Sequence, residues 1–288
     1  MTVILTGQLP EGIAHWRAQI EQEFGRLTAS PNAVSATRPA FQIEPRSRIV
    51  AVEKGSTHAV AIAALHRASS DDSIAQLRHD LVARLSNLIL NWRIQALARN
   101  DSDAVSAAVV EGSPSGDSRL IEFVLSMATP MHQNAINTLV DFMTSWRAAP
   151  PSVDELARAR DAVLANARRL AVEQSRRLPG ALSSRLTDFA LRGGYLLAPD
   201  QMVIQLTELL PQISADELVQ LHEQRLASRD FLITLLSPTG LGKPALSPQQ
   251  AQQLFDAQIA TRMSLAQNIG RDMVCSCYSK CLVQIEIS

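Results

Sequence analysis

Strand-like and helix-like periods alternate along this sequence in an order that leaves few ways to bury its apolar residues. Residues 48–52 and 58–65 have the character of two strands joined by a turn containing Gly55. Ile74, Leu77, Leu81, Leu85, Leu88 and Trp92 then recur at helical spacing and predict one long helix, with Asp71 and Asp72 at its positive end. Two more strands, 104–110 and 120–127, are separated by Gly112-Ser113-Pro114-Ser115-Gly116, a turn-rich hairpin connection. From Met131 the pattern is helical for about a hundred residues, until 231–236 forms a last β-rich run ended by Pro238. A strand arriving so late has to pair with the early ones. The expected class is therefore α+β, a mostly antiparallel sheet with helices packed on one face.

Helix starts within the long helical stretch can be read locally. Ser152 with Glu155 makes one capping box and Ser214 with Glu217 a second, while Ile213 and Leu218 occupy the positions of a hydrophobic staple. Gly193-Gly194 supplies a helix stop. Ser247-Pro248-Gln249-Gln250 predicts the start of one further helix, running to about Ala266. The paired carboxylates Asp71-Asp72, Asp154-Glu155 and Asp216-Glu217 all fall in first helical turns, where the helix dipole stabilises negative charge. Acid–base chemistry is the poorer account of them.

Composition divides the chain. Residues 1–27 hold a short apolar run at 3–5 and then Ile13, Trp16, Ile20 and Phe24 at helical spacing, a strand–helix remnant of a preceding domain. Residues 28–46 are rich in Ser, Pro, Ala and Thr and form a linker. The main α+β domain is expected over 47–238. Residues 239–288 are a connector, a helix and an irregular tail that contains all three cysteines, Cys275, Cys277 and Cys281. Clustered this way they exclude a disulfide framework, and three thiolates without a histidine fall short of the four ligands of structural zinc.

The 288 residues are 46% apolar and carry a net charge of -1, enough for a sizeable core and too little charge to steer the chain to nucleic acid or a membrane surface. Aromatic residues make up 4%, which leaves no stacking platform for single strands. Arg168-Arg169 and Arg176-Arg177 read as a solvated helix face. No run approaches the roughly 18 apolar residues of a membrane span. Residues 1–7 lack a basic leader region, so the cytoplasm is expected if Met1 is the true start, and the periplasm if a leader has been lost. Gly112-Ser113-Pro114-Ser115-Gly116 has proline where a hydrolase elbow has its nucleophile, and Gly240-Leu241-Gly242-Lys243 lacks the spacing of a phosphate loop.

Several phrases, in this order, resemble the insulinase/pitrilysin family of zinc metallopeptidases, which includes the mitochondrial processing peptidase. Thr2-Val3-Ile4-Leu5-Thr6-Gly7 with Ile20-Glu21-Gln22-Glu23-Phe24-Gly25 is similar to the end of the family's first domain. His58-Ala59-Val60-Ala61-Ile62-Ala63-Ala64-Leu65 is similar to the opening strand of its second. Ser152-Val153-Asp154-Glu155-Leu156 and Ile213-Ser214-Ala215-Asp216-Glu217-Leu218 are similar to two of its helix starts. Together they cover roughly residues 1 to 240.

The resemblance implies a metallopeptidase-like domain. In the family, zinc is held by His-x-x-Glu-His plus a distal glutamate, the motif's glutamate acting on zinc-bound water. That motif is absent here: of His15, His58, His66, His79, His132 and His222, none has another histidine four residues on. His222-Glu223 is the nearest fragment and is expected to be a surface pair. The family also supports the peptide carbonyl with an arginine and a tyrosine on the segment corresponding to residues 93–106. Arg93 or Arg99 would fill the arginine's role, but Val105 stands where the tyrosine would fall, and the only tyrosines are Tyr195 and Tyr278. A helix-end arginine favoured by the dipole explains either residue without catalysis. What the resemblance implies is thus a domain inactive on its own and binding no cofactor itself, with zinc in a partner or missing domain. Its partners would be that zinc-bearing domain or subunit and an extended peptide substrate. An inactive assembly subunit of a heteromeric complex, or an unrelated α+β ligand-binding domain, are the alternatives.

Overall fold

The computed structural model describes residues 11–26, 47–52, 57–67, 74–112, 118–173, 196–227, 230–238 and 246–262, with single positions at 4, 183, 186–187 and 189. The expected strand at 3–5 apart from Ile4, the linker, the turn at 113–116, the Gly193-Gly194 stop and the cysteine-bearing tail lie outside these residues.

Five strands form one sheet: β1 (Ser47–Val52), β2 (His58–Arg67), β3 (Ala104–Gly112), β4 (Ser118–Met127) and β5 (Phe231–Pro238), in the order β1-β5-β2-β4-β3. All pairings are antiparallel except β1 with β5. The two opening strands therefore do not pair with each other, against the expectation of strands joined by a simple turn. The reason lies in their side chains. Residues Ala59, Val60, Ala61, Ile62, Ala63 and Ala64 of β2 are all buried, so that strand needs neighbours on both sides. β1, with an exposed Arg48 and a 41% exposed Ile49, suits an edge. The last strand fills the place between them.

One layer of helices covers the sheet face that carries Val60 and Ile62 of β2, Phe123 of β4 and Ile233 of β5, all fully buried. These helices are α2 (Ile74–Asn100), α3 (His132–Thr144), α4 (Val153–Val172), α5 (Pro199–Leu209), which tightens into a 3₁₀ turn at Leu210–Gln212, and α6 (Ala215–Ala227). Leu85 and Ile89 of α2 and Ile136 and Val140 of α3 complete the same core. Each such side chain contributes about 1.5–3 kcal/mol when removed from water. A further helix, α7, spans residues 248–262 and adds Ala251 and Phe255 to the core, with the Phe255 ring 5.0 Å from that of Phe231. By contrast α1 (Gly12–Phe24) buries no residue, and its Ile13 is 78% exposed.

The helix starts follow the local signals. Ser152 and Glu155 close both bonds of a capping box at α4. Ser214 and Glu217 do so at α6, and Ser247 and Gln250 at α7. Ile213 and Leu218, the staple pair, are both fully buried. Among the described residues no helix is long and apolar enough to cross a membrane.

Candidate functional site

α2 collects many of the polar interactions that tie distant described residues together. Arg93, three-quarters of the way along it, donates Nε to Glu155 Oε1 and Nη2 to Glu155 Oε2, both at 2.7 Å. Its Nη1 and Nη2 also reach the carbonyls of Ala149 and Pro150 at 2.6 and 3.0 Å, and its guanidinium lies 4.9 Å from the Trp146 ring centre. A fork so occupied has little left for a substrate carbonyl. The Arg93 guanidinium holds the Glu155 carboxyl down to about 2, against the opposing effect of burial and with help from the Ser152 amide. Arg99, the other arginine singled out by sequence, is exposed in the last turn of α2. Val105 is the extra residue of a β-bulge at the start of β3 and is 56% exposed. Of these three, only Arg93 has its side chain held by protein partners on several sides.

Near the other end of α2, Arg78 pairs with Glu217, and that hydrogen bond lowers the Glu217 carboxyl below its ordinary range. The glutamates of two capping boxes, one on α4 and one on α6, therefore each also bind an arginine of α2. Two residues before Arg93, the Asn91 side chain donates Nδ2 to the Val109 carbonyl at 2.6 Å and accepts the Val109 amide at 2.9 Å. It occupies the place of a neighbouring strand and seals the edge of β3 there. Asn87 bonds Glu111, and both engage the buried Arg225 of α6, Nη1 to Asn87 Oδ1 at 2.7 Å and Nη2 to Glu111 at 3.2 Å. Burial pushes Arg225 down and Glu111 opposes that shift.

His222 is not the surface residue expected from its acidic neighbour. It is 2% exposed, its Nε2–H donates to the Met143 carbonyl at 2.8 Å, and its ring lies against Trp146 and Phe123. Only Glu223 faces outward, where it pairs with Arg147. The helical period rotates successive residues by about 100°, so one faced the core and the next did not. What sequence spacing missed is the aromatic cage, whose members are contributed by β4 and the turn after α3.

Among the described residues no three His, Cys, Asp or Glu side chains converge as metal ligands do. α2 carries only His79 and Asp80 as donors of that kind, and adjacent residues on a helix do not face a common point. The residues described do not fit a zinc ion.

A groove of about 300 Å³ opens between α2, α4 and α5, walled by Leu77, Leu81, Ala167, Leu170, Met202 and Leu206 with Asp80, Arg84 and Asn166 among its polar residues. No family model matches the sequence, and no curated protein does. Solved structures do. Over 85% of this chain, the periplasmic protease PqqL from Escherichia coli superposes with a TM-score of 0.72 at 17% identity. A predicted insulinase family protease from Yersinia pestis superposes over 85% with a TM-score of 0.68 at 15% identity. The ferredoxin protease FusC, solved with Arabidopsis ferredoxin, does so over 85% with a TM-score of 0.63 at 17% identity. The chain spans 28% of PqqL, 53% of the Yersinia protein and 28% of FusC. A mixed five-stranded sheet with its helices on one face, closed by a late strand between the first two, is the fold of an insulinase-type peptidase domain.

Proposed function

We propose that this chain provides a non-catalytic domain of an insulinase-type zinc metallopeptidase, walling a peptide chamber while a zinc-bearing domain or subunit hydrolyses the peptide. The observation that carries this reading is the pairing of that fold with a long helix, α2, whose Arg78 and Arg93 are engaged in structural ties and whose only zinc-type donors are His79 and Asp80. On this reading zinc is held outside the described residues, by a partner or a further domain, and the substrate is an extended peptide. A net charge of -1 supports a peptide over nucleic acid. The apolar stripe of α1, none of whose residues is fully buried among the described residues, supports a neighbouring domain that receives it.

The test is hydrolysis of an unstructured peptide in the presence of zinc, by the purified chain alone and mixed with a zinc-motif-bearing relative from the same source. The expected outcome is no cleavage by the chain alone and cleavage in the mixture above that of the relative by itself. Zinc-dependent cleavage by the chain alone would overturn the proposal.

A further inference from the structure

A polar seam runs between α2 and α6 through the apolar helix layer. Four side chains along it carry a buried polar atom that meets no hydrogen-bond partner among the described residues: Trp146 Nε1, His222 Nδ1, Arg225 Nε and Ser86 Oγ. None of these residues is more than 2% exposed. Their contacts make them one neighbourhood. The Trp146 ring centre lies 5.5 Å from that of His222, and Arg225 follows His222 by one turn of α6. Arg225 Nη1 reaches Asn87 of α2, the residue after Ser86. Arg93, whose guanidinium also covers the Trp146 ring, is seven residues after Ser86 and so on the same face of α2.

Each of these atoms is what remains once its side chain has made its other bonds. His222 gives its Nε2–H to the Met143 carbonyl, so in the uncharged ring Nδ1 is an acceptor only. Burial keeps that ring uncharged at neutral pH, pushing it down to about 4. Arg225 commits Nη1 to Asn87 and Nη2 to Glu111, which leaves Nε–H as a donor. The indole of Trp146 offers its N–H alone, and the Ser86 hydroxyl can give or take. Buried polar atoms left in this state are costly, and a small polar guest is the common remedy. Ser86 supplies the room. Val82 and Leu90, its neighbours on the same face of α2, are buried aliphatic residues, and a serine between them is too short to fill the space a leucine would take.

We propose that this seam is a binding site for internal water, in which one molecule accepts the Trp146 indole N–H and donates to His222 Nδ1. Its second lone pair and second hydrogen match what is left, the N–H of Arg225 and the hydroxyl of Ser86. Two donors and two acceptors in the wall are the complement of the two lone pairs and two hydrogens of a single water. An ion fits less well. The seam already holds the Arg225–Glu111 pair and borders Arg93, so a cation is repelled, while an anion would face the lone pair of Nδ1. The burial of all four residues excludes a larger solute, whereas water enters buried sites through small openings of the structure.

Nuclear magnetic resonance of the full chain at neutral pH tests the site by magnetisation transfer from water to the Trp146 indole proton. The expected result is a cross peak that changes sign between the laboratory and rotating frames, as a long-held water produces, and that disappears in His222→Phe, which keeps a ring but removes the acceptor. Absence of the peak in the unaltered chain would overturn the proposal. So would a peak of the same sign in both frames, which reports direct exchange of the indole proton with solvent, or one that persists in His222→Phe. Should that variant fail to fold, the His222 Nδ1 nitrogen resonance of the unaltered chain decides. A position upfield of a bare ring nitrogen means that Nδ1 accepts a proton and supports the site, and the bare position overturns it.

Discussion

The guanidinium of Arg93 reaches a carboxylate, two carbonyls and an aromatic face from one position on α2, and that arrangement makes specific demands. Arg93→Ala would leave Glu155, whose side chain is 19% exposed, without its partner and two loop carbonyls without a donor. The expected loss is about 2–3 kcal/mol in urea unfolding. Arg93→Lys keeps the charge but not the fork and should recover less than half of it. A residue that supported catalysis would instead lower turnover of the folded protein in the mixed peptidase assay. The Glu155 end predicts a pH dependence of definite sign. Its carboxyl titrates at about 2 when folded and near 4.5 otherwise, so its contribution is full above 4.5 and is lost as the pH falls through about 2. Glu155→Gln should therefore be less stable than the parent near neutral pH, and the two unfolding curves should converge as acid is added. Half of this residue's work was legible in the sequence. The three-residue spacing from Ser152 announces the capping box, whereas the arginine that shares its carboxylate lies 62 positions away and leaves no local signal. His222 was misread for the same reason: the cage that buries it comes from other elements.

At the scale of elements, the sheet's two edges are treated differently. β3 is closed at Val109 by Asn91, whose amide supplies one donor and one acceptor to the strand's outward-facing backbone. β1, at the other edge, is short and carries an exposed Arg48, a familiar way to discourage unwanted pairing. Asn91→Ala should cost about 1–3 kcal/mol, since Val109 is 6% exposed and its amide and carbonyl would lose their partner away from water. It should also open the β3 edge to another chain, which light scattering would detect as concentration-dependent association that the unaltered protein lacks. Asn91→Asp, which keeps the acceptor and loses the donor, should fall between the two. If Asn91→Ala unfolds at the same urea concentration as the parent, the amide bridge has no structural weight. Strand identity and the late closing strand were legible because alternation and apolar runs are local. The insertion of β5 between β1 and β2 was not, because sequence period says that a strand exists without saying which strand lies beside it.

For the whole molecule, the question is which stretches share the cooperative core. α1 shows a helical apolar stripe of Ile13, Trp16, Ile20 and Phe24, yet the helix buries no residue. α7 looked like an appendage after a connector, yet its Ala251 and Phe255 are fully buried and Phe255 packs on Phe231 of the central sheet. Local amphipathicity says that a helix has a face to bury but is silent about where, and here the two helices have opposite fates. Deletion of residues 1–26 should accordingly leave the calorimetric midpoint within a few degrees of the parent's, because no buried residue is lost with α1. Ending the chain at residue 245 removes Phe255 and uncovers Phe231. By analogy with deleting one buried phenylalanine, that costs about 3–5 kcal/mol or more and lowers the midpoint by roughly 10 °C. A large drop from the first deletion would mean that α1 docks on this domain after all and has no stripe to offer a neighbour. Its absence, together with the drop from the second, would leave the α1 stripe as apolar surface that this domain does not use, the condition a neighbouring domain requires.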